Sequence, residues 1–318
     1  EGPVSTTANK AINSWFPITE RARAIGIAQA GGPLGGALAG PIVGFLAIWL
    51  GWRIAFVVIA CIGILWAVAW WRMAASTPKE HPRVSAEELA LINAERETPV
   101  QAAGEAPRTP VMQVITQRAV LVSGLSLFCY NYILYFFMTW FPSYLVDTKG
   151  VSLQDMSWIT AFPWLVGACG MAAGGFLIDR IYKKTGRQLF SRKVVLVTCL
   201  TVAAACIGIS GRSESTEMVV LFMSIAIGFL MLTASAYWAL IQDTVPSYYV
   251  GTAGGLMHGM GNCAGLFAPT LTGVIIQMTG TYSAAFVVTG VLGVAGALAV
   301  WLFVRSNAEE TKHQIATV

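Results

Sequence analysis

Asn131, Tyr132 and Tyr135 lie inside one long apolar stretch of this chain, and His258 and Asn262 inside another. On a helix, spacings of three and four put Asn131 with Tyr135, Tyr132 with Tyr135, and His258 with Asn262 on shared faces. An amide and two phenols can hold carboxylate and hydroxyl oxygens through hydrogen bonds. A histidine can bind an anion when charged or relay a proton. Trp238, beside Tyr237 and near Ser235 and Gln242, offers a flat ring that stacks on sugars or aromatics. Gln29 precedes a glycine-rich run (Gly31, Gly32, Gly35, Gly36, Gly40). That run lacks the Lys-Ser/Thr ending of a phosphate loop and reads as a close helix contact. Glu1 stands sixteen residues before Pro17, about 24 Å away on a helix, where a carboxylate can take up and release a proton. Asn131, Tyr132 and Tyr135 have a second reading as structural hydrogen-bonding residues between helices, worth about 0.6 kcal/mol on average. For His258 the second reading is a neutral packing histidine, and for Trp238 an interfacial aromatic. No Ser-His-Asp set, metal cluster or cofactor motif stands out, so neither an enzyme, a metal nor a cofactor is expected.

The elements that carry these residues are set by what the chain lacks. Of 318 residues, 56% are apolar and 11% charged, and the mean hydropathy is +0.65. A soluble domain usually has about 25% charged residues, so a soluble enzyme, a disordered chain and a nucleic-acid binder are disfavoured. Residues 24–52, 54–71, 119–146, 156–178, 194–211, 218–242 and 244–304 contain no Asp, Glu, Lys or Arg. Six of these stretches are one bilayer span each, and the seventh holds two spans with a turn near Gly280–Ser283. Eight helices crossing a lipid bilayer are expected. The six cysteines all fall in the spans, with no metal-ligand spacing, and read as small packing residues.

Net charge is only +4, but its placement is asymmetric. If the 24–52 helix runs outward, one side carries sixteen Lys and Arg and the other carries Arg53, Lys149 and Arg212, with Lys10 left over. The rich side is then cytoplasmic. The expected location is the inner (plasma) membrane, multi-pass, with the linker and C-terminus cytoplasmic. The proline-rich segment 72–118 reads as a linker, with a capping box from Ser85 to Glu88 opening a short helix.

An internal repeat orders the spans. Gly26, Gly31 and Pro41 recur as Gly254, Gly259 and Pro269 at an offset of 228. Phe56, Val57, Val58 and Gly63 recur as Phe286, Val287, Val288 and Gly293 at 230, and Pro17 as Pro246 at 229. The duplication is parallel. Three spans precede the later copy and none the earlier, so three spans and part of a fourth are expected upstream of Glu1. The domains then read as 1–72, the remainder of an N-terminal bundle; 73–117, a linker; 118–305, a C-terminal six-helix bundle; and 306–318, a tail.

Gly175-Phe-Leu-Ile-Asp179-Arg180, then Lys183-Lys184 and Gly186-Arg187, resembles the loop signature of the major facilitator superfamily. Trp15-Phe-Pro, Glu20-Arg21-Ala-Arg23, Gly51-Trp52-Arg53, Pro78 with His81-Pro82, and Tyr135 through Trp140-Phe-Pro142 with Tyr144-Leu145 narrow it. These resemble the anion:cation symporter family of galactonate, glucarate, hexuronate and phthalate transporters.

The resemblance implies an all-α polytopic membrane protein of two pseudo-symmetric six-helix bundles, here without about the first three helices. It implies that Asp179, Arg180 and Arg187 latch a gate; an incidental Asp in a basic loop is the competing reading. It implies that Glu1 couples protons, that Trp238 lies beside substrate, and that Asn262 occupies a common polar position. Where His258 stands, the family more often has Asn. The galactonate-type pattern has its Gln where this chain has Gly32, so Gln29 is a separate candidate.

The expectation is a secondary active transporter of a small organic anion, a sugar acid or similar carboxylate, moved by proton (or other cation) symport with alternating access, and monomeric. Substrate would meet Asn131, Tyr132, Tyr135, Trp238, His258, Asn262 and Gln29; Glu1 and His258 would handle the proton. A phthalate-type aromatic carboxylate is the rival substrate, and a non-transporting membrane sensor the rival class.

Overall fold

The computed structural model describes residues 11–12, 14–16, 18–75, 77–94, 111–245 and 249–304. The described residues are helical with connecting turns, and eight helices are long and apolar enough to span a bilayer. The chain forms two compact units, Glu1–Pro107 and Arg108–Val318.

In the first unit, α1 (Ile18–Leu50) and α2 (Trp52–Met73) reverse direction at Gly51. Gly51 has φ of +81°, a backbone conformation that side chains with a Cβ rarely adopt. Both helices are apolar on most sides and exposed, with Trp49, Phe56 and Trp71 among the most open side chains. That all-round apolarity suits a hydrocarbon solvent. The chain leaving α2 folds back through a 3-10 turn at Pro78–Glu80. His81 Nδ1 accepts from the Arg83 N–H at 3.2 Å, so its proton is on Nε2, which donates to the Met73 carbonyl at 3.1 Å. The same ring packs edge-on against Trp15 at 5.4 Å. A short helix α3 (Ala86–Ala94) follows, its Glu88 N–H donating to Ser85 Oγ at 3.1 Å as the capping box requires.

The second unit opens with a single turn of helix, α4 (Val111–Ile115), and then holds six spans. Span one is α5 (Arg118–Thr139) continued by α6 (Phe141–Asp147). Span two is α7 (Leu153–Ile159) and α8 (Ala161–Thr185). Span three is α9 (Gln188–Ser210). Span four is α10 (Thr216–Leu232) and α11 (Ala234–Thr244). Span five is α12 (Val250–Asn262) and α13 (Ala264–Thr279), and span six is α14 (Tyr282–Phe303). The turn before α14 falls at Gly280, within the expected Gly280–Ser283.

Four of the six spans are therefore interrupted, at Trp140, Thr160, Thr233 and Cys263. The residue at each break keeps right-handed helical dihedrals, so the chain kinks rather than turns. Pro142 and Pro163 follow the first two breaks closely; a proline lacks the N–H and crowds the carbonyl four residues back. Thr160 and Thr233 bond their hydroxyls back to the preceding turn, at Met156 O (2.9 Å) and Leu230 O (2.7 Å), which bends helices.

The core of this unit is built on small residues. A Cβ on Gly170 would lie 2.1 Å from the Gly228 carbonyl oxygen, and one on Gly174 would lie 2.3 Å from that of Leu232. α8 and α10 thus meet backbone to backbone, the small-xxx-small contact of membrane helices. Around this seam Leu196, Leu200, Ile207, Met223 and Phe136 are fully buried. Cys129, Cys199 and Cys206 pack in the interior, while Cys61, Cys169 and Cys263 are exposed.

Each end of the unit is tied separately. At one end Lys149 Nζ donates to the carbonyls of Ser213 (2.8 Å) and Glu214 (2.7 Å), Tyr282 Oη donates to Asp147 Oδ2 (2.7 Å), and Ser283 Oγ donates to Gly211 O (3.1 Å). At the other, Arg192 on α9 pairs with Asp243 on α11 and donates to the Ala239 carbonyl. Gln188 adds a bond to Asp243 at 2.9 Å.

Candidate functional site

Three helices of the second unit bring the polar candidates together. α12 carries His258 and Asn262 one turn apart, as their spacing requires. α11 lays the Trp238 ring beside His258, centroids 5.9 Å apart and planes inclined by 36°. α5 presents Asn131, whose Nδ2 would be 3.2 Å from a Cβ on Gly261, the residue before Asn262. One turn on, Tyr135 stands against Gly265, 3.0 Å from its would-be Cβ. At 265 the Tyr135 ring occupies the space a methyl group would take; at 261 the Leu127 side chain does, 2.6 Å from the would-be Cβ, with the Asn131 amide next to it.

Burial separates the candidates. Asn131 is 7% exposed and Trp238 37% exposed, while Tyr135, His258 and Asn262 are half-buried. Among the described residues, the side chains of Asn131, His258 and Asn262 make no hydrogen bond. A buried amide such as that of Asn131 normally does, and none of the three is committed to another described side chain. What the arrangement offers is a flat aromatic face, a titratable imidazole and two amides. Such a set matches a hydroxylated carboxylate, with oxygens to bond and a C–H face to stack.

The other expected residues lie elsewhere. Tyr132 is 1% exposed and shares a 3.0 Å hydrogen bond with Thr272 Oγ1 on α13, which ties two helices. Tyr237 is buried, its hydroxyl bonded to Ser126 Oγ at 2.9 Å and to the Ser126 carbonyl at 3.2 Å. Gln29 belongs to the first unit, where it is exposed on α1. Glu1 lies outside the described residues. Asp179, Arg180 and Arg187, expected to form a latch, are exposed and make no ion pair with another described residue. The ion pair between described residues is Arg192 with Asp243, each side chain under 15% exposed. Sequence reading missed Arg192, counting it only as one more cation in a basic loop; it is the fifth residue of α9, inside the helix rather than before it.

The chain matches the family model described as Major Facilitator Superfamily over residues 1–267, with a second match over 187–317. It is 48% identical to the hexuronate transporter of Bacillus subtilis (strain 168) over 307 residues, which are 96% of this chain and 70% of that protein. A probable sulfoacetate transporter of Cupriavidus necator is 35% identical over 94% of this chain and 68% of its own length. A probable galactarate/D-glucarate transporter of Bacillus subtilis (strain 168) is 31% identical, covering 96% and 68%. Among solved structures, an inward-facing, unoccupied bacterial homolog of the human lysosomal transporter Spinster superposes with a TM-score of 0.65. It shares 18% identity and covers 93% of this chain and 73% of its own.

Proposed function

This chain belongs to the major facilitator superfamily, a family of multi-pass membrane transporters, and we propose that it moves a hexuronate or a related sugar acid together with protons by alternating access. The observation that carries the reading is the Trp238–His258 pair with Asn262 one turn along and Asn131 beside it, their hydrogen-bonding capacity unspent. The names of the relatives support an acid as cargo: hexuronate, sulfoacetate and galactarate or glucarate. All are small and anionic, and all but sulfoacetate are sugar acids.

In this reading Trp238 stacks on the sugar face, and the amides of Asn131 and Asn262 bond its hydroxyls and carboxylate. Tyr135 closes the same side. His258 contributes a charge that a neutral amide does not, and it handles a proton with Glu1, whose part rests on the family resemblance. Tyr132 is left out because its hydroxyl already bonds Thr272; Gln29 stays a separate candidate on α1 of the first unit. The proposed setting is the inner membrane, with the basic loop 179–193 cytoplasmic.

Uptake by the purified protein in proteoliposomes tests this. Labelled glucuronate and galacturonate should accumulate when the interior is made alkaline, and a protonophore should abolish the accumulation. Sulfoacetate and phthalate belong in the same panel. Binding of these acids without uptake under any imposed gradient would point to a sensor and sink the transport reading.

A further inference from the structure

The seat of the Trp238 ring is set by a residue with no side chain. A Cβ on Gly254 would lie 2.8 Å from Trp238 Cζ3, 3.6 Å from Cε3 and 3.7 Å from Cη2. Gly254 and His258 are four apart on α12, so the ring crosses the face of that helix over one and beside the other. The residue as a whole is 37% exposed.

The backbone behind Trp238 is braced. α11 is separated from α10 by the break at Thr233, and its rotation is fixed by the next residue along. Tyr237 is 1% exposed, bonded twice to Ser126, and packed edge-on against Tyr130 at 5.8 Å. A methyl group at 254 must therefore displace the indole rather than the helix. The displacement needed to reach ordinary contact at 3.4 Å is 0.6 Å (3.4 − 2.8), directed away from α12.

We propose that Gly254 is a specificity-determining residue: the hollow it leaves seats Trp238 back against α12, and that seat sets how bulky an acid fits beside His258. The inference rests on the transport reading above and refines it. It requires that size selectivity change when the hollow is filled, in the direction of smaller acids. One methylene in a shaped pocket alters discrimination by about tenfold or more.

The experiment compares Gly254→Ala with Gly255→Ala. The two neighbours share a helix and gain the same propensity, but a Cβ at 255 meets nothing within 4 Å. KM and kcat are measured for glucuronate, a six-carbon ring, and for glycerate, a three-carbon chain. Gly254→Ala should raise the KM for glucuronate relative to glycerate about tenfold, and Gly255→Ala should leave the ratio unchanged. A third comparison removes the ring: in a Trp238→Phe background, Gly254→Ala should no longer move the ratio, since the phenyl lacks the atoms that clash. This comparison also serves if Gly254→Ala alone folds poorly. An unchanged ratio in Gly254→Ala, an equal shift in Gly255→Ala, or a shift that persists without the indole would overturn the inference while leaving the transport reading intact. A wild-type protein that accumulates no acid overturns both.

Discussion

Replacing Gly170 by alanine places a methyl group where α8 and α10 touch. Its carbon would lie 2.1 Å from the Gly228 carbonyl oxygen, 2.9 Å from the carbonyl carbon and 3.2 Å from Cα. All three are backbone atoms of a helix, so no rotamer change relieves the clash. Reaching 3.4 Å requires the two helices to part locally by 1.3 Å (3.4 − 2.1). The seam continues through Gly174 against Leu232 O, Gly167 against Ile227 and Gly228 against Val166, and separation loosens each. A gap of about 0.5–1 Å already forfeits a quarter to a half of a dispersion contact, and overpacking typically costs about 1–3 kcal/mol. At about 2–4 °C per kcal/mol for a unit of this size, the melting temperature in detergent should fall by roughly 2–12 °C. Gly175→Ala on the same helix is the control. A Cβ there meets nothing within 4 Å, and alanine gains about 1 kcal/mol of helix propensity over glycine. Its melting temperature should hold or rise. Equal melting temperatures for the two variants would refute the claim that this seam is closed by backbone contact.

Three further outcomes are expected. Tyr132→Phe removes the bond to Thr272 and should cost about 0.6 kcal/mol of stability while leaving the KM for hexuronate within about twofold, as measured by uptake. His258→Asn removes the imidazole beside Trp238; the affinity for acid substrate, or its dependence on pH, should change, and if neither does His258 has no part in the site. Asp243→Asn leaves Arg192 largely buried without its counter-charge and should lower thermal stability, whereas Arg180→Ala, at an exposed position, should not.

The spans were legible because a bilayer imposes a signal that no tertiary contact overrides: a charge-free run of about twenty residues. The turn at Gly280 was legible for a related reason, since a 61-residue run is too long for one helix. The kinks were not read, although Pro142 and Pro163 mark two of them; Thr233 and Cys263 are residues found throughout unbroken helices. At the candidate site, spacing placed His258 with Asn262 correctly. It could not decide between Asn131 and Tyr132, which are adjacent and about 100° apart around α5. What decides is the residue opposite. Thr272 offers Tyr132 a hydrogen-bond partner, whereas Asn131 faces Gly261, which offers none and is approached most closely by Leu127. The Arg192–Asp243 pair is likewise non-local, joining residues on two spans with a third element between them.

Lys149 holds its neighbouring loop by the carbonyls of Ser213 and Glu214, and Ser283 holds it by that of Gly211. The receiving atoms are main chain, present whatever the side chain. Ser213 and Glu214 can therefore be exchanged for almost any residue with the tie intact, while Lys149 cannot. The dependence runs one way, from donor to backbone. Paired substitutions would not reveal it, and an engineer could graft new side chains at 213 and 214, for a label or a tag, without untying this end of the bundle.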